Sequence, residues 1–98
     1  MNKTVWKFPV PLQHQPARPV MIPLGAHVVH VGHDPGDPLQ PCIWVELHPD
    51  EDRVERHFTA YATGAQVPWG HEHVGSMVSP PFAWHVYEKP QLNPGGDY

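Results

Sequence analysis

Fourteen prolines in 98 residues, spread from Pro9 to Pro94, break this chain about once every seven positions. Each proline lacks a backbone N–H, and its ring clashes with the preceding turn of a helix. A chain punctuated this often builds short strands and tight turns, not long helices. With 40% hydrophobic residues, the length suits one domain with a single modest core. The expected architecture is all-β: a small antiparallel β-sandwich or partly open barrel of about seven short strands. Residues 1–90 form the domain and 91–98 a flexible C-terminal tail.

The strand periodicity is legible segment by segment. "TVWKFPV" (4–10) alternates Trp6 and Phe8 against Val5 and Lys7 before meeting prolines, the signature of an edge strand. A polar, proline-bearing loop (12–18) separates it from a short extended segment at Val20–Ile22. "HVVHVG" (27–32) carries three β-branched valines, and "HDPGDPLQP" (33–41) reads as a loop of turn pairs. "CIWVEL" (42–47) is apolar on both faces and is expected to be central. "RVERHFTAYATG" (53–64) alternates as one strand, with a capped helix over 50–62 as the competing reading. A strand near His73 follows, then a turn at Pro80-Pro81. "FAWHVYEK" (82–89) points Phe82, Trp84 and Val86 inward and Ala83, His85 and Tyr87 outward.

Charge and composition exclude several occupations. Six basic against ten acidic residues give a formal charge of −4, with no run of Lys or Arg. Nucleic acid is therefore not an expected partner, because phosphate-backbone binding calls for a basic stripe. No apolar run approaches the roughly 18 residues that span a bilayer, so no membrane partner is expected. "MNKTVWKFPVP" lacks the apolar segment of a signal peptide. Cys42 stands alone, which excludes an internal disulfide and fits a reducing cytoplasm. At the head of an apolar strand it reads as inert core and not as a nucleophile.

Nine histidines raise the question of metal. His27, His30 and His33 lie on a strand, so His27 and His33 share a face and His30 points away. The two on one face stand roughly 20 Å apart at about 3.3 Å per residue, too far to share one ion. "GHEH" is the better candidate. If the turn falls at 79–82, His73 pairs with Glu88, and His71, His73 and Glu88 become a two-histidine, one-carboxylate set for zinc or iron. Against this, a close pair is unsurprising among nine histidines, so no cofactor is expected. No catalytic set is evident: phosphate loop, nucleophile elbow and paired carboxylates are all absent from the sequence. Trp69, between Pro68 and Gly70, is the tryptophan expected to stand exposed on a loop, where an aromatic suits a binding surface.

Taken in order, "NKTVWKFPV", "IPLGAHVVHV", "PCIWVEL", "YATG" and "WHVYE" resemble a family of small uncharacterised proteins encoded by tailed bacteriophages and prophages. The resemblance spans residues 2–89 and rests on the order of the pieces, each weak alone. It implies a phage origin and a fold, not an activity. The chain departs from the family pattern in its longer 34–39 loop and at "GHEH", where the family lacks a His-x-His pair. His85 and Glu88 fall on the closing motif, which makes His85 and its neighbour Tyr87 candidate binding residues.

These readings favour a non-enzymatic phage binding module, made in the host cytoplasm and acting on a host protein or small ligand. The alternatives are a metal-dependent enzyme using the His-x-His pair, and a minor virion or assembly component acting as a homo-oligomer.

Overall fold

A computed structural model describes residues 2–91. Eight short strands follow in chain order, with no helix among the described residues: β1 (Thr4–Pro9), β2 (Val20–Pro23), β3 (His27–Asp34), β4 (Asp37–Leu47), β5 (Arg53–Arg56), β6 (Phe58–Ala62), β7 (Glu72–Ser79) and β8 (Phe82–Glu88). All pair antiparallel, in sheets of order β1-β4-β3, β2-β5 and β6-β8-β7. No sheet closes on itself, so the molecule is a stack of open sheets and not a barrel. Of the expected tail, only Gln91 is described; residues 92–98 lie outside.

The eighth strand arises where one run was expected to be continuous. Residues 53–64 split at His57, so β5 pairs with β2 while β6 pairs with β8. Alternation survives the break, and Phe58 and Ala60 stay buried. The change of sheet could not be read from periodicity, because both halves are extended.

Residues 33–41, expected to be a loop, instead form the tip of the β3–β4 hairpin. Pro35 and Gly36 make the turn. Asp34 Oδ2 accepts from the Gly36 N–H at 2.8 Å, and Asp37 Oδ1 accepts from the Leu39 N–H at 3.0 Å. These side-chain caps let a proline-rich segment stay paired. Lys7 reaches across from β1 to the same Asp34 carboxylate. Its hydrogen bond, helped by the Gly36 N–H, holds the Asp34 carboxyl below its ordinary 3.8. A depressed folded-state value means the contact stabilises above pH 3.8 and fades as pH falls through the lowered value. Carbon-detected NMR titration is expected to place the Asp34 midpoint below 3.8, and to return it toward the ordinary value in Lys7→Met.

The central placement of residues 42–47 is as expected. Cys42, Ile43, Val45 and Leu47 are at most 2% exposed, and β1 and β3 flank the strand. Ile43, Val45 and Leu47 join Val10, Ile22, Ala26, Phe58, Ala60 and Val86 in one core fed by all three sheets. After β1 the chain leaves its own sheet. Pro11 and Gln13 clip the free edge of β6, where the Ala60 N–H donates to the Pro11 carbonyl and the Gln13 N–H to the Ala60 carbonyl, both at 2.9 Å. Trp6 and Phe8 face the core, as the alternation of β1 requires.

Two bulges change which side chains share a face. In β3, register shifts between Val28 and His30. His27 then lies opposite Glu46 and His30 opposite Trp44, so these two histidines share the outer face and His33 turns to the other. Strict alternation had paired His27 with His33; the extra residue, Val29, reverses that. In β7, register shifts between His73 and Gly75. At Gly75 the two three-stranded sheets pack tightly: a Cβ built there would lie 2.4 Å from Val31 Cγ2 on β3. Gly75→Ala is expected to cost about 1–3 kcal/mol through overpacking, read as a drop in urea midpoint at constant m-value. An unchanged midpoint would mean that the sheets separate freely there.

Candidate functional site

The outer face of the β6-β8-β7 sheet gathers most of the candidate residues. β8 is central in this sheet, and its alternation sends Val86 fully into the core while His85 and Tyr87 face out. Cross-strand register then fixes their neighbours. Tyr61 and Ser76 flank His85 on either side; Thr59 and His73 flank Tyr87. Trp84 packs on the core as expected, but Phe82, also assigned inward, is 49% exposed. It sits at the strand end beside the Pro80-Pro81 turn, past the reach of the core, and stacks on Trp84 at 5.8 Å.

A continuous polar line crosses this face. His73 Nε2 and Ser76 Oγ are 2.9 Å apart, Ser76 Oγ and His85 Nδ1 2.8 Å, and His85 Nε2 and Thr63 Oγ1 2.7 Å. A hydroxyl carries one proton and two lone pairs, so Ser76 donates to at most one imidazole and accepts from at least one. The two imidazoles cannot both present a bare nitrogen to Ser76, so their tautomers are coupled through its hydroxyl. Aromatic rings border it: Tyr87 lies 5.2 Å from His73 and 5.9 Å from Tyr61, each at a steep interplanar angle.

Beside this face, residues 68–71 form a turn. The His71 N–H donates to the Pro68 carbonyl at 3.3 Å, and Gly70 takes φ 87°, a left-handed conformation suited to glycine. The turn lifts Trp69 clear of the protein, fully exposed at 101%. Trp69, His71, Glu72 and Tyr87, with Val67 and Pro68, line a cleft of about 550 Å³. A second hollow, of about 620 Å³, lies between Leu24, Val54, His57 and the Lys89–Gln91 segment.

The binding candidates Trp69 and Tyr87 thus border the same cleft, and His85 lies on the same sheet face as Tyr87. The metal candidates do not assemble as expected. The turn does fall at 79–82, and Ser79 pairs with Phe82. The bulge at Val74 then displaces the register by one, putting His73 opposite Tyr87 and Glu88 opposite Glu72. Glu88 gives both oxygens to Arg56, at 2.6 and 2.7 Å from Nε and Nη2. His71 lies in the turn at the cleft. Among the described residues no three His, Cys, Asp or Glu side chains gather as metal ligands. Cys42 is buried beside Asp34, and burial, then that carboxylate, pushes its thiol up, away from the thiolate a nucleophile needs.

Sequence reading missed Ser76, Thr63 and Tyr61. Their places follow from cross-strand register, which the bulge and the 63–71 connection conceal. Together these observations define a small open-sheet β domain whose outer sheet face carries His73, His85, Tyr61 and Tyr87. The chain belongs to the family described as Domain of unknown function (DUF7352), whose model matches residues 1–96. No curated protein and no solved structure matched the chain.

Proposed function

We propose that this domain is a non-enzymatic binding module of phage origin, acting in the host cytoplasm on a host protein or small ligand. The observation that carries the reading is Trp69, held fully exposed by its own turn beside Tyr87 and His71. A bare indole in water is a lost opportunity for burial, and aromatic anchors dominate binding energy in protein interfaces. With a partner recovered from host lysate, Trp69→Ala is expected to weaken binding by about tenfold or more while leaving the melting temperature unchanged. Full affinity in that variant would sink this face as the working surface.

A second reading rests on Ser76. Its hydroxyl touches the His85 imidazole, whose other nitrogen is held by Thr63, the order of nucleophile, base and orienting group. Threonine supplies no negative charge to stabilise an imidazolium, which weighs against hydrolysis. A fluorophosphonate probe decides between them: labelling of Ser76 that His85→Ala abolishes would favour an acyl-transfer enzyme.

A further inference from the structure

Resting on the binding reading, we propose that the cleft beside Trp69 takes an extended, proline-containing peptide that carries a basic side chain. Three observations converge on that chemistry.

The first is shape. The cleft is built from the 67–71 connection and the adjoining ends of β7 and β8, with Trp69 fully exposed. Small ligands are usually enclosed on most sides, whereas an extended segment needs only a row of platforms. Trp69 and Tyr87 border the cleft together, and Tyr87 is flanked by the His73 and Tyr61 rings at 5.2 and 5.9 Å.

The second is chemistry. Aromatic-lined grooves recognise polyproline II segments, whose rings pack on aromatic side chains and whose stiffness lowers the entropy lost on docking. Such a segment has no internal hydrogen bonds, so its carbonyls are free to accept. Tyrosine hydroxyls and the indole N–H are the donors that meet them.

The third is charge. None of the six Lys and Arg residues falls between His57 and Glu88, the span that builds this whole sheet. Arg56 and Lys89 bracket that span: Arg56 is spent on Glu88, and Lys89 lines the separate hollow beside Leu24 and Val54. Glu72 lines the cleft with no Lys or Arg among its lining residues, His71 being the one basic side chain there. With Glu72 as its one carboxylate and no Lys or Arg beside it, the cleft offers an anionic partner to a cation. An arginine or lysine over the indole adds a cation–π contact.

The test uses the intact protein on arrays of proline-rich dodecapeptides with one fixed arginine and randomised remaining positions. Matched arrays carry glutamate for the arginine or glycine for the prolines, and a glycan array is run alongside. Binding is expected only on the proline-arginine array, falling about tenfold or more in Trp69→Ala and in Glu72→Lys. Equal binding of the glutamate or glycine arrays overturns the inference, as does an absence of binding on every array. Glycan binding lost in Trp69→Ala overturns it too, but leaves the module reading standing. Proline-arginine binding that neither variant disturbs fails both. Concentration-dependent self-association abolished by Arg18→Glu, within the chain's own exposed Pro16-Ala17-Arg18-Pro19, would make a second copy the occupant and overturn the assignment to a partner peptide.

Discussion

Arg56→Ala is expected to cost about 3–5 kcal/mol, the scale for breaking a largely buried ion pair by removing one partner. The guanidinium and the Glu88 carboxylate are each only 15% exposed and meet in a two-pronged pair. Arg56 Nη1 also donates to the Ala26 carbonyl at 2.7 Å, and the guanidinium lies over the Phe58 ring at 5.3 Å. One side chain thus ties β5 to β8 and to the residue that precedes β3. Truncation leaves a carboxylate desolvated without compensation, and a domain of this size holds only about 5–15 kcal/mol in all. The double change Arg56→Met with Glu88→Leu removes both charges and is expected to recover much of the loss. Urea denaturation of the two singles and the double measures the coupling. A single Arg56→Ala that stays within about 1 kcal/mol of the parent would show that water reaches the pair freely.

The same pair marks how far the sequence could be read. Strand identity was accessible because alternation is local: Trp6 with Phe8, Ile43 with Val45 and Trp84 with Val86 each point where a period of two sends them. Proline spacing likewise anticipated the lack of helix. What local pattern cannot carry is register, because one added residue reverses every face beyond it. Val29 and Val74 are such residues, and nothing distinguishes their β-branched side chains from ordinary strand material. The His73–Glu88 pairing failed at the second bulge, and the His27–His33 facing failed at the first. The tip of the β3–β4 hairpin was hidden differently. Asp-Pro and Pro-Gly pairs announce a turn, but they do not say how closely the strands approach it. Of the site, Trp69, His85 and Tyr87 stood out as exposed by type and parity. Ser76, Thr63 and Tyr61 became visible only when three strands separated in sequence were laid side by side.

Trp84 and His85 are adjacent on β8 and face opposite ways, so exchanging each for alanine separates fold from function. Trp84 lies between Ala62 and Met77 in the ladder, packs on the core and stacks on Phe82. Trp84→Ala removes that packing and leaves a cavity the small neighbour Ala62 cannot fill, at a cost of about 3 kcal/mol. The figure sits at the low end for tryptophan because the side chain is only half-buried. His85→Ala removes two side-chain hydrogen bonds at the surface, to Ser76 and Thr63. Both partners turn to water when released, so the expected cost is within about 0.5–1 kcal/mol. Binding should respond in reverse. Loss of His85 leaves Ser76 with His73 as its one side-chain partner and uncouples it from Thr63, which changes the polar pattern a ligand meets beside Tyr87. Paired urea melts and binding titrations of the two variants are therefore expected to cross: Trp84→Ala unstable but competent where folded, His85→Ala stable but weakened in binding. If His85→Ala unfolds the protein and Trp84→Ala is harmless, the strand faces the other way, and the working surface lies around Trp84.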